Sequence, residues 1–483
     1  MNRERIRVNV SAATDPPTTV RAPPSPPGLA LAFGTRVAAL RWDDLPSEAL
    51  HWAKVGLLDT LGVTLAGSRE KAPRLVERAL DLSPGPSLLL GYRRRVGALD
   101  AALINGTASH ALDFDDCSNT LGGHPSVPVL SALLALADEL GCTGRDFIMA
   151  YVSGFEVETK LALAVNFHHY QKGWHPTATL GVFGAAAACG RLMGLDAERI
   201  ATALSLSASF SAGIKANFGT MAKPLHVGHC ARNGLLAARL AAHGFTANTG
   251  SVFEDEQGFL DVFNGPGTYD TARALAAWAS PLDIVAPGIA IKQYPCCGST
   301  HPAIDAMLSL VREKRPRVED VVRVEGWIHE RRLKHTDRPD PRTSLDAKFS
   351  LQYVLARALA DGHVSVRHFE GESHEEPRIR ALLPRIRVAA YDDADFLASN
   401  HFGGAVRVTM RDGAIHEARV DQALGRTSSN PLPAALLQAK FSLCAAPILV
   451  PEAIAAVTEY VNRIEEMADL RQLSSQLAMT HTA

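Results

Sequence analysis

Apolar residues recur every three to four positions through most of the first half of the chain, the spacing that gathers them on one face of a helix. The pattern predicts helices over 46–66, 98–110, 128–140, 145–164, 177–193, 197–212 and 228–243, each bounded by Gly, Pro or a polar capping residue. Several are dense in small residues, as in Gly184-Ala185-Ala186-Ala187-Ala188, so their backbones can pack closely. Strand-like alternation is almost absent there. Near Pro281 the character changes. Alternating runs at 321–328, 386–391 and 405–420 predict strands, the last folding back at Asp412-Gly413, a hairpin signal. Helices at 301–314 and 345–361 fall between them, with Thr343 and Asp346 spaced as a capping box for the second. Helical periodicity returns at 433–443 and 451–467. The expected fold is therefore mainly α: an all-helical domain over 29–280, an α+β lid over 281–425, and C-terminal helices over 426–483 that rejoin the first domain.

Composition narrows the function. The 483 residues, 47% hydrophobic and 21% charged, suit a globular protein with a large core. Lys and Arg total 49 against 51 Asp and Glu, so no basic excess exists to neutralise a nucleic-acid backbone, and nucleic acid is not an expected partner. Seven scattered cysteines without a CxxC pair point to free thiols in a reducing compartment rather than a structural zinc. No run approaches the roughly 18 apolar residues that cross a bilayer. Arg3, Arg5 and Arg7 are followed by prolines rather than by the apolar core of a secretory signal, so a cytoplasmic protein is expected, with residues 1–28 as an unstructured tail.

The common cofactor and hydrolase signatures (GxGxxG after a strand, GxxxxGK[ST], HExxH, GxSxG) are absent. What stands out is four polar segments at Gly- and Pro-marked breaks between apolar helices. The first, from Asn105 to Asp116, holds His110, Asp113, Asp115 and Asp116 and is followed by Gly122-Gly123-His124. It fits a helix end with a solvated acidic turn, and three carboxylates also attract cations, although a metal is the less favoured reading. In the second, Gly173-Trp174-His175-Pro176, the proline keeps His175 out of helical dihedrals at a helix start, where free N–H groups face an anion. A buried histidine bonded to backbone is the plain alternative. The third places Lys223, His226 and His229 before an apolar helix. Lys223, enclosed by apolar residues, suits a pocket that binds an anion, whereas His226 and His229 suit packing or capping. The fourth runs from Lys292 through Cys296-Cys297 to His301. A thiol paired with His301 is one reading, and His301 as an acid or base the better one.

These segments, in this order, resemble the 2-methylcitrate dehydratase family, MmgE/PrpD. The matching stretches are 105–116, 173–179, 218–234 and 294–306, with a fifth at Asp346-Ala347-Lys348-Phe349-Ser350-Leu351-Gln352-Tyr353, and the resemblance runs from about Leu29 to Met467. It implies a large helical domain built from both chain ends, a smaller α+β lid, a homodimer, and a site between the domains with neither metal nor organic cofactor. It also implies a small di- or tricarboxylate substrate, with dehydration of 2-methylcitrate first, epimerisation of an imino dicarboxylate next and decarboxylation of cis-aconitate third. A non-catalytic dimeric ligand-binding protein is a remote alternative. Carried over by position, the site group is Asp113, His124, His175, Lys223 and His301. This chain has Cys117 where relatives often have threonine, replacing a hydroxyl donor with a weaker thiol at a substrate-binding position.

All these reactions build negative charge on a molecule that is already anionic, which calls for fixed cations and N–H donors away from water. Lys223 and a protonated histidine are expected to hold carboxylates, with helix N-termini assisting. His175 and His301 are expected to move protons, and His124 and Asp113 to bind or orient.

Overall fold

Small residues bring the helices of this protein into backbone contact, and that contact shapes the site. The computed structural model describes residues 28–392, 396 and 402–480; all of the expected tail over 1–28 except Gly28 lies outside the described residues. Gly106 in the Ala98–His110 helix crosses Gly228 in the Ala222–Ala242 helix. A Cβ on Gly228 would stand 2.1 Å from the Leu103 carbonyl oxygen and 2.4 Å from Thr107 Oγ1, so only glycine permits the crossing. It also places the C-terminal end of one helix beside the first turn of the other.

Polar caps set the helix ends. Thr143 Oγ1 accepts from the Asp146 N–H to start Gly144–Val165, and Asp196 accepts from Arg199 to start Ala197–Phe210. Gly141, in the left-handed region, ends Ser126–Leu140. Helix makes up 57% of the described residues and strand 9%, so the molecule is mainly α. Buried apolar side chains form two large cores. One joins helices preceding residue 292 to the C-terminal helices, with Phe441 and Val457 inside it. The other lies within 294–410, where His301–Lys314 and Leu351–Asp361 pack on a four-stranded sheet. In that sheet Ile386–Ala390 runs parallel to Val321–Ile328, followed by antiparallel Gly404–Met410 and Ile415–Val420. Gly413, with φ 87°, makes the expected hairpin turn.

Several elements differ from the pattern reading. The helix expected over 177–193 is one turn, Pro176–Thr179, and then Gly181–Leu192. The helix expected over 345–361 is also split, into Ser344–Ala347 capped by Thr343 and Leu351–Asp361 capped by Ser350. The break frees Lys348 to reach the Leu112 carbonyl. The helix expected over 228–243 starts at Ala222, so Lys223 belongs to its first turn and not to a loop. A two-stranded ribbon, Pro84–Leu88 with Arg95–Val96, lies in the region expected to lack strands; with two prolines and two residues in its second strand, it carries too little alternation to register. Among the described residues no helix is long and apolar enough to cross a membrane, and all seven cysteines are free.

Candidate active site

The Ala98–His110 helix runs out into a tight turn in which Asp113 takes φ 53°, an uncommon conformation for a residue other than glycine. Three buried lysines from distant parts of the chain hold this turn. Lys348 Nζ donates to the Leu112 carbonyl at 2.5 Å, Lys292 to Asp113 at 2.7 Å and Lys440 to Phe114 at 2.7 Å. Lys440 also pairs with Asp59 at 2.6 Å. Burial pushes the Lys348 ammonium down to about 8. Three consecutive carbonyls are thus each satisfied by an ammonium group, and both cores contribute.

The carboxylates of the turn are equally engaged. Lys223 Nζ donates to Asp113 Oδ1 at 2.6 Å, and Lys292 lies 3.2 Å from the same oxygen. Burial favours protonation of Asp113, but Lys223 and Lys292 outweigh it and hold the group well below the usual carboxylate range. Asp115 Oδ2 lies 2.8 Å from His110 Nδ1 and 2.9 Å from His124 Nδ1. Burial works against charge on His124, yet Asp115 prevails and raises that imidazole to about 10. His110, by contrast, is lowered to about 3 by burial. Asp116 turns away, taking the Ser126 hydroxyl, which in turn contacts Tyr151 OH at 2.5 Å. Burial, with Asp59 nearby, raises Asp116 well above its ordinary value.

His124 and His175 both pack their rings against His110, where the chain passes very close to itself. A Cβ on Gly123 would lie 2.7 Å from Thr177 Oγ1, and the His124 N–H donates to that same hydroxyl at 3.0 Å. His175 ends an extended segment, donates its N–H to the Gly213 carbonyl at 3.0 Å, and stands 3.2 Å (Nδ1 to Nδ1) from His226. Burial, then Lys223 and the neighbouring histidines, push His175 well below 6.5, so it is neutral. The anion site expected at the helix after it does not form. That helix is one turn long, and the N–H groups of Ala178 and Thr179 both go to the His175 carbonyl.

Asp113, Cys117, His124, His175 and Lys223 all line one cavity of about 660 Å³. His301 does not. It is buried behind the wall, Nε2 3.3 Å from the Cys296 carbonyl and its ring edge-on to Tyr294, and burial lowers it to about 3. Asp113 is the single carboxylate among the described lining residues, against seven cations: Lys215, Lys223, Lys292, Arg331, Arg332, Lys334 and Arg426. Such a lining gathers anions. His110, Asp113, Asp115 and His124 bring ligand atoms within 4.8 Å of one another. A divalent cation there would have to displace the ammonium groups of Lys223 and Lys292 from Asp113, so the group is already neutralised by protein. Cys117 Sγ lies 3.8 Å from His124 Nδ1; burial raises the thiol, but His124 and Lys292 outweigh it and lower it.

Residues 32–272 match the MmgE/PrpD N-terminal domain and residues 294–466 the MmgE/PrpD C-terminal domain. The chain belongs to the MmgE/PrpD family. This MmgE/PrpD chain is 29% identical over 458 residues to the human protein named cis-aconitate decarboxylase, spanning 92% of this chain and 94% of that one. It is 26% identical over 465 residues to a cis-aconitate decarboxylase of Aspergillus terreus, across 90% of this chain and 92% of the other. It is 23% identical over 420 residues to the 2-methylcitrate dehydratase of Salmonella typhimurium, across 80% and 84%.

The motif reading passed over the roles of Lys292, Lys348, Asp115 and Lys440. Lys292 and Lys348 stand inside quoted segments, so their positions were legible and their contacts were not. Lys440, in an ordinary C-terminal helix, carried no signal.

Proposed function

We propose that this chain is a lyase for a small polycarboxylic acid of the citrate and aconitate class, using protein side chains as its acid and base. The observation that carries the reading is one carboxylate, Asp113, facing seven cations on a cavity wall that also presents a charged and a neutral histidine. Lysine and arginine side chains hold substrate carboxylates, and enclosure strengthens each interaction as negative charge develops. His124, held protonated by Asp115, is the acid; His175, neutral beside His226, is the base. Lys223 and Lys292 fix Asp113, which orients His124 from 3.7 Å. His301 shapes the turn that carries Cys297 and Ser299 instead of touching substrate.

Within the lyases, decarboxylation of cis-aconitate comes first, supported by the higher identity to proteins of that name over more of the chain. Dehydration of a 2-methylcitrate-like acid is the second reading, compatible with the same site. The free cysteines support a reducing, cytoplasmic setting. The homodimer is checked by light scattering of the purified protein.

Proton NMR in D2O with cis-aconitate, 2-methylcitrate and iminodisuccinate, each offered separately, tests the reading. New vinyl signals with loss of CO2 from cis-aconitate are expected. A new alkene from 2-methylcitrate would move dehydration to first place. Loss of an α-proton signal with the skeleton intact would instead mean epimerisation, and silence with all three would overturn the substrate class.

A further inference from the structure

A second reactive group stands on the cavity wall, and the proton chemistry above leaves it unused. Cys297 lines the cavity with Sγ 3.6 Å from His335 Nε2, and Ser299 Oγ lies 3.1 Å from that same nitrogen. His335 lies in the Glu330–Thr336 helix, so two separate segments assemble the pair. The turn is pinned: the Cys297 N–H donates to the Lys348 carbonyl at 2.9 Å, and Thr300 Oγ1 donates to the Cys297 carbonyl at 2.8 Å. The adjacent thiol makes the contrast. Cys296 is fully buried against Thr300, 3.5 Å away, and burial pushes it up to about 12. Burial also raises Cys297, but the His335 hydrogen bond outweighs it and brings that thiol to about 6. Arg426 completes the arrangement. It lines the same cavity, its charge acts on both Cys117 and Cys297, and its buried Nε has no hydrogen-bond partner. A thiolate, an imidazole and a guanidinium with a spare donor therefore converge on space that accepts anions.

We propose that Cys297, with His335 as its acid–base partner, is a covalent capture site for α,β-unsaturated carboxylates. The inference rests on the reading that the cavity takes polycarboxylates, since loss of water or CO2 from such acids leaves a double bond conjugated to a carboxylate. The Cys297 thiolate adds to the β-carbon, forming a C–S bond, and the π electrons of the double bond move to the α-carbon. That carbon takes the proton from His335, so a thiol has added across the double bond with no oxidant or other co-reactant. Elimination by the reverse path frees both. The adduct fills the cavity, and accumulating unsaturated acid thereby slows its own formation.

The full-length protein is treated with 3-maleimidopropionate or with uncharged N-ethylmaleimide, and labelled thiols are located by peptide mass spectrometry. Cys297 is expected to label first, with the carboxylated reagent faster by about 10-fold or more, as cationic clefts accelerate anion encounter. The midpoint of the rate–pH profile is expected near 6. In His335→Gln, with His335→Asn as a second variant, it moves toward the value of about 8.5 of a free thiol. Equal rates for the two reagents, first labelling at Cys117 or another thiol, or an unmoved midpoint in both variants would each overturn the proposal. Turnover of cis-aconitate is measured on the same preparation. Turnover without selective labelling sinks the capture site alone, whereas selective labelling without turnover of cis-aconitate sinks decarboxylation as the first reading and leaves the capture site standing.

Discussion

Lys292 and Asp113 are joined twice: the ammonium group donates to the Asp113 carbonyl at 2.7 Å and lies 3.2 Å from its carboxylate. The contact ties the start of the second core's segment to the turn at Asp113. Lys292→Met leaves a buried carbonyl bare and the carboxylate with Lys223 as its remaining close ammonium. A loss of about 3–5 kcal/mol is expected, the range for breaking a buried charge pair. Thermal and guanidinium unfolding measure it, and the loss of turnover should exceed the fraction of protein unfolded.

The neighbouring aspartates should respond in opposite ways. Asp113 is held ionised between two lysines, so Asp113→Asn strands both and costs about 3–5 kcal/mol. Asp116 is raised well above its ordinary value and bonded to the Ser126 hydroxyl, so Asn replaces a neutral group. Asp116→Asn is expected to stay within about 1.5 kcal/mol of wild type, the scale of one hydrogen bond. Equal losses in the two variants would show that the ionisation states are wrongly assigned.

His175 and His301 separate by position. For His175→Asn a fall in kcat of about 100- to 10,000-fold is expected, with unchanged unfolding temperature. His301→Asn, removing a ring behind the wall, should lose less and act through the Cys296–Ser299 turn. Steady-state kinetics of both variants on the substrate found by NMR make the comparison, and a larger loss for His301 would place that ring at the reacting carbon.

Stability should fall as pH rises through the slightly alkaline range. His124 titrates near 10 in the folded protein and near 6.5 when unfolded, so its contribution is complete below about pH 6.5 and is lost as pH approaches 10. Unfolding temperatures measured across that window should decline in wild type. In Asp115→Asn, which removes the partner at 2.9 Å, the decline should flatten.

The helix crossing at Gly228 is expected to tolerate no side chain. Gly228→Ala drives a methyl group into the Leu103 carbonyl and should cost about 3 kcal/mol. Because the crossing sets Lys223 beside Asp113, residual folded protein should also show reduced turnover. A fully active, equally stable variant would mean the two helices can part without disturbing the site.

The sequence by itself determined the helical class and the hairpin at Gly413, and it singled out Asp113, His124, His175 and Lys223, which line one cavity, because periodicity, turn residues and local motifs act within a few residues of chain. Helix starts and breaks were read less well. Lys223 falls inside a helix, and Lys348 falls in a gap between two, where the Ser350 hydroxyl accepts the Tyr353 N–H and starts the next helix. Only the tertiary structure decided which charges meet. Lys292, Lys348 and Lys440 converge on three adjacent carbonyls, His226 reaches His175, and His335 reaches Cys297 across chain separations that no periodicity encodes. The same reason accounts for His301: its motif announces a reactive histidine, but packing against Tyr294 sets it behind the wall. Ionisation follows burial and neighbours within a few ångströms, and both are properties of the packed chain.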